Sequence, residues 1–179
     1  MEFSELLETR RSIRAYKPDM AIAKEDIEKI LSAAQKAPSW KNSQTGRYYV
    51  VTSPEKLAEV KEKCLPDRNR ANCANAPVLI VTAFERNCSG FKSDGTPENE
   101  LGDKWGAYDL GLQNQNLVLA ARELGLDTLI MGIRDEKQLR TVLDIPETQD
   151  VAAVISLGYR DIDPEAPKRK PLDEIAKFL

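Results

Sequence analysis

The feature that most constrains the fold is the nearly uninterrupted apolar run APVLIVTAF at positions 76–84. A strand that faces solvent on one side alternates polar and apolar residues, whereas a strand that is apolar on both sides has to be covered on both faces. We therefore predict a buried strand here, with one layer of structure above the sheet and one below it.

The remaining strands and helices follow from residue type and apolar spacing. Three further segments rich in β-branched and aromatic residues are predicted strands: RYYVVT, DTLIM and VAAVISLGY. Helices are predicted over 3–8, within AKEDIEKILSAAQKAPS before Pro38, from the N-cap Ser53 to Cys64, over 104–124 and over 135–143. A chain of 179 residues suits one domain, 1–179.

The helix predicted over 104–124 has apolar residues around nearly its whole circumference. Such a helix is either central or part of a subunit interface. Asp109, Gln113 and Asn116 nevertheless form a polar stripe at helical spacing. Buried polar groups need partners, which here come from another helix, the backbone or a ligand.

Two polar segments are predicted loops. PSWKNSQTG at 38–46 is rich in turn formers. The segment 87–103 is rich in Gly, Ser, Asp, Pro and Asn, so it cannot pack a core of its own. Loops of this length in compact domains are often functional lids, and the sequence assigns this one no specific role.

The chain contains no histidine. This excludes a Ser-His-Asp or Cys-His catalytic centre, a HExxH helix and a mixed Cys/His zinc site, and no metal site is expected. No side-chain general acid is obvious either, so no catalytic residue is assigned. If the protein is an enzyme, we expect a cofactor to supply the chemistry.

The cysteines Cys64, Cys73 and Cys88 are odd in number and lack CxxC spacing. This pattern favours reduced thiols over a disulfide framework. We expect them to serve in packing, with a redox role for Cys88 as the alternative.

Net charge and hydropathy limit the kinds of partner that the protein is expected to bind. The net charge of −3 provides no overall positive field for nucleic acid. No apolar h-region stands at the N-terminus, and no run approaches the roughly 18 to 20 apolar residues that span a bilayer. We expect a cytoplasmic protein that binds neither nucleic acid nor membranes.

The N-terminal part of the chain contains a cluster of Arg10, Arg11, Ser12 and Arg14. It is either a solvated charged surface or a grip for a phosphate or carboxylate, which the arginine fork fits. GxxxxGK[ST] and GxGxxG are both missing, so a phosphate would have to be held by side chains. A second basic cluster stands at 168–170.

Several motifs in order, RRSIRAYKPD, APSWKNSQ, LGLDTLIMG, SLGYRD and KRKPLDEI, make the sequence recognisable. Together they resemble the FMN-dependent nitroreductase family, and the resemblance covers essentially the whole chain. It implies an α+β fold with a central mixed, mainly antiparallel sheet flanked by helices in three layers. It also implies an intertwined homodimer with FMN at the interface.

The resemblance assigns site residues motif by motif. The phosphate and ribityl chain of FMN would be bound by the N-terminal cluster and the C-terminal basic motif, namely Arg10, Arg11, Ser12, Arg14, Lys168, Arg169 and Lys170. The isoalloxazine ring of the partner subunit would face Pro38, Ser39, Trp40 and Asn42, with Gln44 nearby. Backbone N–H groups at Met131 and Gly132 would point to the ring.

The activity implied is a ping-pong transfer of hydride from NADH or NADPH to FMN and then to a nitroaromatic, quinone or similar small-molecule acceptor. The alternative is a flavin-binding protein that sequesters or senses flavin without physiological turnover. The chain reads NSQTG at 42–46 where many relatives read NSQPW, so substrate range is not carried over.

Overall fold

The computed structural model describes residues 2–179 and contains a four-stranded sheet with the order β1-β2-β4-β3. All neighbouring strands are antiparallel. A single parallel bridge from Ser12 to Thr128 continues the sheet beyond β3. The mixed, mainly antiparallel sheet is thus confirmed, with its parallel part limited to that bridge. The strands are β1 (Gly46–Val51), β2 (Val78–Glu85), β3 (Asp127–Met131) and β4 (Gln149–Gly158).

Helices flank this sheet, and each helix predicted from the sequence is present. The predictions missed two short helices, Asp67–Asn72 and Leu172–Ile175, and a 3-10 turn at Trp40–Asn42. The helices are α1 (Phe3–Thr9), α2 (Lys24–Gln35), α3 (Pro54–Cys64), α4 (Asp67–Asn72), α5 (Lys104–Glu123), α6 (Glu136–Leu143) and α7 (Leu172–Ile175).

Two separate cores lie on the two faces of β2. Leu79 and Val81 point to one core, and Val78 and Ile80 point to the other, because successive side chains of a strand alternate. The first core is completed by α3 and α6, through Leu57, Val60, Leu139 and Val142. The second is completed by α2 and α5, through Ile27, Ile30, Ala34, Leu117, Val118 and Ala121. The three-layer arrangement predicted from the apolar run is confirmed.

Helix α5 packs on the sheet with one side and leaves the other side open. Tyr108 is 59% exposed, and Gly111 has no atom within 4 Å of the position that a Cβ would take. The helix is therefore not enclosed within one chain, and its role as a subunit interface stays a prediction. It ends before Gly125, whose φ of +76° is the left-handed conformation predicted there.

The polar stripe of α5 finds its partners in the protein. The Asn116 side chain donates to the backbone carbonyl of Ala33 at 3.2 Å, and the Tyr48 hydroxyl donates to Gln113 Oε1 at 3.0 Å. Asp109 accepts hydrogen bonds from a backbone N–H and a hydroxyl, which are described below. Of the three sources that the sequence left open, the backbone and neighbouring elements account for these contacts.

Two kinds of structure are absent from residues 2–179. No helix in this range combines the length and apolar character needed to cross a membrane. Within the same residues, no group of three or more His, Cys, Asp or Glu side chains is arranged to hold a metal ion.

The cysteines provide a test of this packing. Cys64 and Cys73 are buried, and Cys88 is exposed. Burial raises the pKa of the Cys64 thiol to about 11, and burial is also the main cause that raises the pKa of Cys73. Because the thiolate is the reactive form, a raised pKa slows alkylation and disulfide exchange near neutral pH.

We expect a disulfide reagent to modify Cys88 rapidly in the native protein, and Cys64 and Cys73 only after denaturation. Rapid reaction of a second thiol in the native protein would contradict this packing.

Candidate functional site

The N-terminal arginines stand on an extended segment that two buried side chains anchor. Ile13 and Tyr16 are 0% and 1% exposed. The Ile13 N–H donates to the Thr128 carbonyl at 3.0 Å, and the Tyr16 hydroxyl lies 2.8 Å from the Ser156 hydroxyl. Because side chains alternate along an extended segment, the neighbouring Ser12 and Arg14 side chains are left exposed.

These arginines line a cavity of about 260 Å³ together with residues from the other end of the chain. The chain passes from β4 into the segment 159–171, which brings the second basic cluster to the first. The lining carries four guanidinium groups and one carboxylate, and consists of Arg10, Arg11, Ser12, Arg14, Pro164, Glu165, Pro167 and Arg169.

The charge in this cavity is poorly compensated. Burial lowers the pKa of Arg10, and the nearby cations Arg169 and Arg11 lower it further. Among residues 2–179, no carboxylate lies within ion-pair distance of Arg10, Arg11, Arg14 or Arg169. The buried Nε of Arg11 also has no hydrogen-bond partner among the described residues. The cluster therefore has donors and positive charge available for an anion.

The rest of the second basic cluster lies outside this cavity. Lys168 and Lys170 are exposed and absent from its lining, and Lys170 Nζ pairs with Glu174 at 3.5 Å. Arg169 is the member that faces Arg10 across the cavity. The assignment of the two lysines to a phosphate stays a prediction.

A second cavity, of about 210 Å³, shares Arg14 with the first. Gly132, one of the two predicted backbone-contact residues, has open space where a Cβ would point, so a ligand has room to approach its backbone. The Asn69 amide donates to the Ile133 carbonyl at 2.8 Å and so ties α4 to the end of β3. The lining consists of Arg14, Arg68, Asn69, Asn72, Leu129, Ile130, Met131, Gly132 and Ile133.

The α4 residues of this cavity were missed by sequence reasoning. Arg68, Asn69 and Asn72 come from the sequence DRNRAN, which has no apolar periodicity and so gave no helix signal. Their spacing of i, i+1 and i+4 places them on one helical face, and this was the only available hint. Arg68 is exposed and forms no ion pair or hydrogen bond within the described part of the chain.

The loop at 38–44 lines neither of these cavities in its own chain. Pro38, Asn42 and Gln44 are exposed, and Ser39 Oγ accepts a hydrogen bond from the Gln44 N–H at 3.0 Å. Three non-glycine residues, Lys41, Asn42 and Gln44, have φ values of 46°, 58° and 50°. The role of Pro38, Ser39, Trp40, Asn42 and Gln44 at a ring of the partner subunit stays a prediction.

The departure at NSQTG has a local physical reason. A Cβ on Gly46 would lie 1.9 Å from Oε1 of Gln113. That same oxygen accepts the Tyr48 hydroxyl, so the Gln113 side chain is fixed against the strand. Glycine at 46 therefore makes room for the α5 side chain, and Thr45 beside it is buried.

The two cavities differ in their linings and adjoin at one residue. One end is strongly cationic, and the other presents amides, backbone groups and apolar side chains. Arg14 belongs to both, so a single ligand can extend from one into the other. Arg68 also lines the second cavity, and the guanidinium groups of both cavities suit an anion such as a phosphate.

Comparisons with known proteins identify the family of this chain. The sequence model of the Nitroreductase family matches residues 7–71 and 65–159. A provisionally named NADH dehydrogenase/NAD(P)H nitroreductase of Archaeoglobus fulgidus is 38% identical over 167 residues, which cover 88% of this chain and 85% of that protein. The provisionally named NAD(P)H nitroreductase YdgI of Bacillus subtilis is 28% identical, over 99% of this chain and 97% of its own.

A solved structure shares the fold over the whole chain. It is a provisionally named nitroreductase in complex with FMN from Exiguobacterium sibiricum, with a TM-score of 0.87, 23% identity, and coverage of 100% of this chain and 98% of that chain. The motifs recognised in the sequence, the three-layer fold and the family match lead to one conclusion: this chain belongs to the Nitroreductase family.

Proposed function

We propose that the protein is an FMN-dependent oxidoreductase that uses NADH or NADPH to reduce small-molecule acceptors. The observation that carries this proposal is the arginine cavity without ion-pair partners, which adjoins a second cavity at Arg14. The names of the Archaeoglobus fulgidus and Bacillus subtilis relatives support the donor and the reaction type. The FMN bound to the Exiguobacterium sibiricum protein supports the cofactor.

The arginine cavity would hold the FMN phosphate. Arg10, Arg11, Arg14 and Arg169 supply the charge-assisted donors, and the Ser12 hydroxyl supplies one more. A phosphate monoester carries close to two negative charges at neutral pH, which matches the excess positive charge of this lining. The same contacts would fix the position of the attached ring.

The second cavity would hold the isoalloxazine ring. Bound FMN supplies hydride acceptance from NAD(P)H and reduction of a nitroaromatic, quinone or similar acceptor, in two alternating half-reactions. Backbone N–H groups at Met131 and Gly132, the amides of Asn69 and Asn72, and the Arg68 guanidinium would orient the ring. Donors fixed before reaction stabilise negative charge where it develops, so no side-chain acid is required in principle.

We further infer a cytoplasmic homodimer in which the 38–44 loop of one subunit completes the ring site of the other. Support comes from the exposed, strained loop and from exposed apolar side chains on three elements. Large exposed apolar residues are typical of surfaces that another protein covers. They are Phe3 and Leu7 of α1, Tyr108 of α5, and Leu172, Ile175 and Phe178 of the C-terminal segment.

The phosphate assignment is tested by replacing Arg10 with Ala and measuring the affinities of FMN and riboflavin. Riboflavin lacks the phosphate, so only FMN binding should weaken. Loss of one charge-assisted contact costs about 1.5 to 3 kcal/mol, which is roughly a tenfold to hundredfold loss of FMN affinity. Lys137→Ala on α6 is the matched control, because it removes an exposed positive charge elsewhere and should change neither affinity.

Single and double variants identify the C-terminal partner. If Arg10 and Arg169 bind the same phosphate, the losses in R10A/R169A will not be additive. Lys170→Ala tests the lysine assignment in the same assay. Equal loss of both flavins in R10A, or loss of neither, would contradict a phosphate contact by Arg10.

Turnover separates an enzyme from a protein that only binds flavin. With FMN bound, NADH or NADPH added without oxygen or another acceptor should bleach the visible flavin absorbance, and a quinone or nitroaromatic should restore it. A flavin spectrum unchanged by both nucleotides would favour the sequestering or sensing alternative.

The dimer is tested on the open side of α5. Gly111→Arg has room in a single chain, since a Cβ there meets no atom within 4 Å. We expect light scattering to give twice the chain mass for the natural protein, and dissociation with weaker flavin binding for G111R. Thr141→Arg on exposed α6 surface is the control of equal charge. A natural monomer that holds flavin tightly would overturn the shared site.

A further inference from the structure

The Asp109 carboxylate joins two loops that are far apart in sequence. Asp109 is 2% exposed on α5. Its Oδ2 accepts hydrogen bonds from the Trp40 backbone N–H at 2.9 Å and from the Ser89 hydroxyl at 2.6 Å. Trp40 belongs to the 38–44 loop, and Ser89, which is 0% exposed, belongs to the 87–103 loop. We call this arrangement the Asp109 junction.

The junction is not a buried ion pair. No lysine or arginine among residues 2–179 lies within ion-pair distance of Asp109. Burial of a carboxylate is costly unless hydrogen bonds satisfy it, and an apolar side chain of similar volume would avoid that cost. Both hydrogen bonds of the Asp109 carboxylate come from groups in the two loops, so the carboxylate stabilises the loops and not its own helix.

Further contacts connect the same two loops, directly or through Trp105 at the start of α5. The Trp40 and Trp105 rings lie with centroids 4.5 Å apart. The Trp105 indole N–H donates to Asn99 Oδ1 at 2.9 Å, and Lys41 forms an ion pair with Glu98. The 87–103 loop is thereby attached to the 38–44 loop at several points.

The junction supports a stretch of backbone whose conformation is intrinsically unfavourable. Lys41, Asn42 and Gln44 have left-handed φ values, which side chains with a Cβ adopt only when the surroundings fix them. The Trp40 N–H bonded to Asp109 lies directly before the first of these residues. Loss of that bond would release the strained turn at its start.

We infer that Asp109 is a positioning residue that holds the 38–44 loop in its ring-facing shape and makes the 87–103 loop part of the same rigid unit. The first half of this inference concerns the loops alone. The second half rests on the proposed function: the fixed 38–44 loop contacts the partner subunit's ring, so its displacement slows the acceptor half-reaction.

Two substitutions at Asp109 distinguish the effect of its hydrogen bonds from the effects of its negative charge and of its side-chain volume. Both bonds end on one oxygen, so the amide oxygen of Asp109→Asn can accept both, whereas Asp109→Leu keeps the branching at Cγ but has no acceptor. We expect D109N to resemble the natural protein and D109L to lose the loop geometry. Ser89→Ala removes one partner and serves if D109L does not fold. Ser93→Ala, exposed in the same loop, is the matched control.

The first readout needs no flavin. The chain has 2 tryptophans, and both lie in this loop contact. Near-ultraviolet circular dichroism and tryptophan fluorescence of the full, flavin-free chain therefore report directly on the Trp40 and Trp105 pair. We expect a changed signal in D109L and S89A, and an unchanged one in D109N and S93A.

The second readout is flavin affinity and acceptor kinetics. D109L should weaken FMN and riboflavin by the same factor, because it disturbs ring contacts and leaves the arginine cavity intact. Misplacement of a positioning loop costs up to about 100-fold in kcat/KM, which we expect for the acceptor half-reaction.

Tryptophan signals in D109L and S89A that match the natural protein, or a D109N variant as impaired as D109L, would overturn the inference. Failure of the natural protein to bind either flavin would instead overturn the proposed function, while the tryptophan signals would still decide the role of the junction.

Discussion

Burial of β2 on both faces is the constraint from which the rest of the structure follows. A strand with no polar face needs apolar cover on each side, and α3 and α6 supply one layer while α2 and α5 supply the other. The central position of β2 then leaves β1 and β3 at the edges of the sheet. The arginine segment adds beside β3 through the bridge at Ser12, so the position of the candidate site is a consequence of this core.

The site combines rigid anchors with groups that remain free to bind. Ile13 and Tyr16 bury completely and fix the backbone, while the side chains around them point away from the core. The segment that follows β4 then carries Arg169 to the same place. Residues more than 150 positions apart in the chain, such as Arg10 and Arg169, thus meet because both flank the β3 side of one sheet.

Sequence patterns predicted the elements that bury a regular apolar face and missed those that do not. The four strands and the helices with periodic apolar residues could be predicted. An element with one buried face carries apolar residues at a period of 2 in a strand or 3.6 in a helix. The polar helix DRNRAN carries no such period, so Arg68, Asn69 and Asn72 could not be placed. Contacts between distant loops, such as Asp109 with Ser89, leave no local pattern at all. The arginine cluster could be seen in the sequence, but only the geometry separates Arg169, which lines the cavity, from its neighbouring lysines, which do not.

The arginine cavity differs in its electrostatics from a glycine-rich phosphate-binding loop, whose sequence motifs this chain lacks. A loop of backbone N–H groups is neutral and tolerates being empty, whereas clustered guanidinium groups repel one another in the absence of an anion. Burial and neighbouring cations lower the pKa of Arg10, yet arginine stays protonated at physiological pH, so deprotonation does not relieve the repulsion. Glu165, which also lines the cavity, offsets part of this repulsion, and an anion that binds the folded state alone adds its binding free energy to folding stability. If the cavity binds the FMN phosphate as proposed, binding would therefore stabilise the folded positions of the segments 10–14 and 159–171.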